Sequence, residues 1–224
     1  ARLSFTPLTA CVTMSSPTGA LILNSKPLPG MFRSGWLWAV LVVFLCFNKI
    51  QLKAQPVHVQ LVQESGVWRM ERAGSPYYVR GAGGQVHLPL MVECGANSLR
   101  TWGIERAQQI LDSAHRLGLT VMLGMWMGHE RHGFDYDDPV AVREQFLHFA
   151  SVIDRFKTHP ALLCWGIGNE VDLFYTNVKV WDAIQEVAAY AHAHDPHHPT
   201  STVTAGLDSM EVHWIKTKAP DIDI

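Results

Sequence analysis

From residue 66 onward the apolar positions alternate between two rhythms. Compact apolar runs bounded by glycine read as strands, and apolar positions spaced by three and four read as helices. Pro76–Arg80 and Asn97–Thr101 are short strand-like stretches between glycines. Ile104, Ala107, Ile110, Leu111, Ala114 and Leu117 share one face, so a helix is expected over 104–117. Gly118 follows it, where a residue free to turn left-handed ends a helix. Leu119–Trp126 is the third strand. Val142, Phe146, Phe149, Ile153 and Phe156 mark a second helix, which His159-Pro160 stops. Ala161–Ile167 is the fourth strand. Val180, Ile184, Val187, Ala188 and Ala191 mark a third helix, broken by Pro196 and Pro199. Thr200–Gly206 is the fifth strand, Ser209–Lys218 a short helix, and Asp221–Ile224 opens a sixth strand.

Strand and helix thus alternate. The strands show little internal alternation of polarity, which implies burial on both faces and a parallel sheet. Such a pattern is α/β, either doubly wound or a barrel. The first glycine cluster, GAGGQV, lacks the spacing of a dinucleotide-binding loop, which favours the barrel. A complete barrel of eight strands takes about 250 residues. The expectation is therefore an incomplete (β/α)8 TIM barrel over 55–224, holding strands one to five and the start of the sixth. It reads as a piece of a longer frame.

The front of the chain carries a different signal. Residues 1–30 are rich in Ser, Thr and Pro without a period, and are expected to be disordered or upstream of the true start. Met31 and Arg33 precede an apolar run of 13 residues, Gly35–Phe47. A membrane-spanning helix needs about 20. The run suits the apolar region of a secretory signal, cleaved after Leu52-Lys53-Ala54, or an N-terminal anchor. Residues 31–54 are assigned that role, and a secreted or cell-envelope location follows from it.

Composition narrows the partners. The formal net charge of −2 gives no electrostatic argument for nucleic acid or for an anionic membrane surface. Eight Trp residues is a high count for 224 positions, and exposed indoles serve as flat platforms for sugars. The four cysteines, Cys11, Cys46, Cys94 and Cys164, show neither zinc spacing nor CxxC pairing. Cys94 and Cys164 read as small buried hydrophobes.

In a barrel the catalytic groups stand at the C-terminal ends of strands. Strand two ends in Arg100-Thr101-Trp102, strand three in Trp126 followed by Gly128-His129-Glu130-Arg131, and strand four in Asn169-Glu170. Arg, Trp, His, Asn and Glu therefore converge on one face. Two polar tracts also resemble metal sites. GHERHGFDYDD (128–138) fits no ligand spacing, and AHAHDPHHP (191–199) falls on the opposite face, where it reads as a solvated loop. No metal and no cofactor is expected.

The succession PYYVRGAGG, GANSLRTWG, HPALLCWGIGNE, HHPTSTV and APDIDI resembles the catalytic barrel of retaining glycoside hydrolases of clan A. It is most similar to the family 2 branch and its family 5 relatives, over residues 66–224. The resemblance implies a β-linked oligo- or polysaccharide substrate. It implies that Glu170 is the general acid/base, that Asn169 bonds the sugar 2-hydroxyl, and that Arg100 orients the nucleophile. The nucleophile itself belongs at the end of strand seven, beyond this chain. Trp102 and Trp126 are expected as sugar platforms, and His129 and Tyr175 as residues of the substrate cleft. Plainer readings stand beside these: a helix-terminal carboxylate for Glu170, a structural ion pair for Arg100, a turn residue for Asn169 and rim packing for the indoles. A non-catalytic carbohydrate-binding barrel and an inactive fragment are the rival functions.

Overall fold

The structure, a computed structural model, describes residues 55–224. The expectations for 1–30 and 31–54, with Cys11 and Cys46, lie outside the described residues.

Before the barrel stands a small antiparallel sheet that the sequence reading did not anticipate. Its strands are β1 (Val59–Glu64), β2 (Val67–Arg72) and β3 (Ser75–Pro76), in that order. Two-residue turns join them. Ser65 and Gly66 have φ of 53° and 81°, Ala73 and Gly74 of 52° and 74°. Two successive positive φ values make the tight turn whose twist matches a hairpin. The sheet is fastened to the entry side of later strands: Val59 N donates to His197 O at 2.8 Å, and Arg72 Nη2 to Pro160 O at 2.8 Å.

The barrel elements follow. They are β4 (Gly81–Gly83), α1 (Leu88–Glu93), β5 (Ser98–Arg100), α2 (Ala107–Arg116) and β6 (Thr120–Met125). A 3-10 turn (Glu130–His132) leads to α3 (Pro139–Phe156), β7 (Leu162–Ile167), α4 (Lys179–His194), β8 (Thr200–Ser201) and α5 (Ser209–Lys218). All neighbouring pairs from β4 to β8 are parallel, and their spatial order is their chain order. A doubly wound sheet reverses its order at a switch point. This one does not, so the strands wind one way as in a partial TIM barrel.

The core lies where the apolar periods placed it. Val121, Leu123, Met125, Leu162, Trp165 and Ile167 of β6 and β7 are at most 0% exposed. Helix faces close over them: Ile110, Leu111 and Ala114 from α2, Phe149, Ile153 and Phe156 from α3, Ile184, Val187 and Ala188 from α4. Each large apolar side chain buried this way contributes about 1.5–3 kcal/mol. In a second cluster, Leu163 and Cys164 of β7 pack with Val59, and Met70 packs against them, which seats the small sheet.

Several elements differ from the sequence reading, each for a local reason. The first barrel strand is Gly81–Gly83 rather than Pro76–Arg80, and pairs with Ser98–Arg100. Pro76 instead ends the small sheet, where the missing N–H matters least. Tyr77 turns its hydroxyl inward, donating to Asn97 O at 2.9 Å beside Ser98 and Thr120 hydroxyls. Helix α1 was not expected; its first turn carries Pro89, whose ring suits that position. Helix α3 starts earlier than Val142 because Asp138 caps it, accepting from Val140 N and Ala141 N. The fifth strand is only Thr200–Ser201. Asp221–Ile224 is not a regular strand, although Asp223 N and Ile224 N both donate to Thr200 O at 3.1 Å.

Two further expectations are corrected. Cys94 is exposed, because it caps the short helix α1 at the surface; only Cys164 is buried, and burial pushes its thiol up to about 12. The tract 191–199 is only partly solvated: His192, His194 and Pro196 are exposed, but part of the loop turns inward. Asp195 and His198 are buried, with the Asp195 carboxylate accepting from Trp165 Nε1 at 2.8 Å and His197 N at 3.1 Å. His198 Nδ1 lies 2.8 Å from the same carboxylate. A buried carboxylate requires such partners.

Candidate active site

Three strands deliver the site. β5 ends in Arg100, β6 leads into Trp126 and His129, and β7 leads through Gly168 into Asn169 and Glu170. Gly168 takes φ 79°, a left-handed backbone that glycine adopts without steric cost. Its N–H donates to Met125 O at 3.0 Å, holding the exit of β7 against β6. Glu170 is itself left-handed, φ 50°, and its N–H donates to Val203 O at 2.6 Å. A non-glycine residue there costs on the order of 1–3 kcal/mol, sustained only where surrounding contacts over-determine it. The turn lifts the Glu170 side chain out of the strand, half-buried at the rim.

Arg100 Nη2 donates to Asn169 Oδ1. Partial burial draws the Arg100 guanidinium below its usual range, while the nearby Glu170 carboxylate draws it upward. Its carbon lies 5.9 Å from the centre of the Trp102 ring. That ring in turn lies against β4, where a side chain at Gly83 would meet its edge at 3.1 Å. Trp102 and Trp126 are each 42% exposed, which leaves an indole face open on either flank.

His129 sits inside a parallel stack. Trp126 lies 4.8 Å from it on one side and His132 5.1 Å on the other, with interplanar angles of 3° and 7°. The ring is 2% exposed and neither nitrogen has a hydrogen-bond partner. Burial is the main force holding its pKa below the usual histidine value, aided by the nearby Arg131 guanidinium and the His132 ring. The Asn169 carbonyl and Glu170 oppose that shift, though the carbonyl makes no bond of acceptable geometry to the ring.

Arg100, Asn169, Glu170 and Trp102 thus come together, with Trp126 and His129 beside them. Tyr175 does not join them by hydrogen bonding: its ring packs edge-on against Trp181 of α4, 6.2 Å between centres. The loop 128–138 is occupied structurally. Glu130 accepts from Thr176 and Asn177, Asp137 pairs with Lys179 at 2.6 Å, and Tyr136 donates to Gly128 O at 2.6 Å. Arg131, which the sequence reading passed over, donates from Nη1 to Glu170 O at 3.2 Å and to Leu173 O at 3.4 Å. No spacing rule announces it, because its partners are backbone carbonyls about forty residues away. A cavity of about 800 Å3 lies at the opposite end of the strands, between the small sheet and the 192–199 segment, remote from this chemistry.

The chain matches the family model "Glycosyl hydrolases family 2, TIM barrel domain" over residues 85–219. No curated protein sequence matches it. Among solved structures it is similar to a β-D-glucuronidase of Dictyoglomus thermophilum, with TM-score 0.54 and 17% identity, over 67% of this chain and 29% of that one. It is similar to a Bifidobacterium dentium β-glucuronidase complexed with coumarin-3-O-glucuronide, with TM-score 0.54 and 20% identity, over 69% and 27%. An Eisenbergiella tayi β-galacturonidase bound to galacturonate gives TM-score 0.53 and 19% identity, over 66% and 28%. At these identities the likeness establishes the fold, and the chain spans under a third of the length of each of the three. The family match covers more than half of the sequence and five parallel strands agree with it, so the chain belongs to glycosyl hydrolase family 2 through its TIM barrel domain.

Proposed function

We propose that this chain carries the acid/base half of a retaining β-glycosidase site. The observation that bears the reading is the Arg100–Asn169 bond immediately beside the raised Glu170. Glu170 first protonates the departing glycosidic oxygen. It then takes a proton from the water that releases the sugar. The Asn169 side-chain oxygen accepts from Arg100, so its NH2 is left as the donor toward a sugar hydroxyl. Trp102 and Trp126 offer flat apolar faces to the sugar ring. His129 is buried and stacks in parallel on the Trp126 ring, backing that face.

Retention needs a second carboxyl about 5 Å from the first. Asp172 is not suited to it, since its carboxylate accepts from Ala205 N at 2.9 Å and from Gly206 N. We place the nucleophile outside residues 55–224. β-Glucuronides and β-galacturonides are the first substrates to assay, because similar solved structures act on them. Residues 31–54 serve in this reading as an export signal or anchor, placing the enzyme in the envelope or outside the cell.

The test is to read the source DNA beyond the codon for Ile224. A strand ending in Glu at the seventh barrel position supports the reading, and Glu170→Gln in that protein then abolishes turnover of alkyl β-glycosides. A seventh strand without a carboxyl replaces the hydrolase reading with that of a carbohydrate-binding barrel.

A further inference from the structure

We propose that Glu130 and Arg131 are a positioning pair that holds the loop carrying Glu170 from both ends. The inference rests on the reading of Glu170 as acid/base. The two residues are adjacent in one 3-10 turn and reach in different directions. Arg131 takes the front of the loop through the carbonyls of Glu170, at 3.2 Å, and Leu173, at 3.4 Å. Glu130 takes the back: it accepts from Thr176 N at 2.7 Å, Thr176 Oγ1 at 2.5 Å and Asn177 N at 3.0 Å.

Each arm suits what it grips. A guanidinium only donates, and the front of the loop presents carbonyls; a carboxylate only accepts, and the back presents N–H groups and a hydroxyl. The loop needs such a grip. Two of its residues, Glu170 at φ 50° and Phe174 at φ 60°, are left-handed without being glycine. Released, they would relax toward ordinary backbone angles, and Glu170 would leave its place. The gripping turn is itself anchored. Gly128 N donates to Gln145 Oε1 of α3 at 2.6 Å, and Tyr136 donates back to Gly128 O. Rigidity passes from α3 through the turn to the acid/base. Asp172 fastens the loop on its other side, to Ala205 N and Gly206 N.

A displaced acid leaves a particular kinetic trace. Substrates with alkoxide leaving groups depend on protonation, whereas dinitrophenolate departs without it. A misplacement of about 1 Å can cost about 100-fold. Arg131→Met in the complete protein is therefore expected to lower kcat/KM for an alkyl β-glycoside about 100-fold. With the 2,4-dinitrophenyl glycoside of the same sugar, the bond-breaking step should fall by less than about threefold, since acid assistance is small there. Glu130→Gln should move the ratio the same way, and Arg131→Lys, keeping a donor, should recover part of it. Should Arg131→Met fail to fold, Thr176→Val tests the other arm, removing one donor to Glu130. An equal fall on both substrates, as general destabilisation would give, overturns the proposal. Glu170→Gln is run alongside. If it discriminates the leaving groups and the Arg131 and Glu130 variants do not, the clamp alone is wrong. If Glu170→Gln does not discriminate, or the wild type turns over neither substrate, the acid/base reading falls and takes the clamp with it.

Discussion

Arg100 donates to the side-chain oxygen of Asn169, and this bond gives the amide beside Glu170 a single orientation. Residues at the exits of β5 and β7, with β6 between them in the sheet, are thereby locked into one donor pattern. Without the guanidinium the amide could present its oxygen outward. Arg100→Leu is expected to weaken sugar binding by about tenfold or more, roughly 1.4 kcal/mol. Quenching of Trp102 and Trp126 fluorescence by added sugar reads the affinity. Unchanged affinity would show that Arg100 does not orient the amide.

The stacked, buried His129 ties stability to pH. Its pKa is held below the usual histidine value in the folded chain, mainly by burial. The unfolded chain therefore binds the proton first. The stability from the neutral ring is full above the ordinary histidine pKa of about 6.5 and is lost as pH falls below it. Melting temperature should drop from pH 7.5 to pH 5, and His129→Phe should flatten that drop. His159 is lowered for the same reason, burial, and acts in the same direction.

Asp195 is a stability residue at the far end of the barrel. Its carboxylate satisfies Trp165 Nε1 and His197 N and lies beside His198 Nδ1, with Trp165, Asp195 and His198 buried. Asp195→Ala strands buried donors, each costing about 1–3 kcal/mol. Urea unfolding should show a loss of about 2–5 kcal/mol with the spectrum of the folded state retained in water.

Gly124 in β6 has no room for a side chain. A Cβ there would strike the backbone carbonyl of Thr101, whose hydroxyl accepts from Gly124 N at 2.9 Å. Backbone cannot swing aside as a side chain can. Gly124→Ala should destabilise by about 1–3 kcal/mol or more, read as a lowered melting temperature, and should also pull Trp102 from its place beside β4.

The helices α2, α3 and α4 were legible because packing against one sheet face imposes a 3.6-residue period that survives in the sequence. The strands β6 and β7 were legible because burial on both faces leaves an unbroken apolar run. Glu170 was legible because a carboxyl following such a run can only emerge at its exit. The β1–β3 sheet was not, since its residues alternate weakly and its turns use Ser65 and Ala73 at positions that usually favour Asn or Asp. Cys94 was misread because a helix as short as α1 offers too few positions to tell its buried side from its exposed one.

The chain by itself determined its period, hence its class, and the order in which polar groups leave the strands. Those properties are local: each follows from neighbours within a few residues. Only the tertiary structure decided that Arg100 grips Asn169, that Arg131 and Glu130 hold the loop of Glu170, and that Asp195 is buried rather than solvated. Each of these joins groups that are distant along the chain or that lie in a backbone shape no side-chain pattern records. Hydrogen bonds to backbone carbonyls and amides depend on where a segment lies in space, because every residue except proline presents the same two groups.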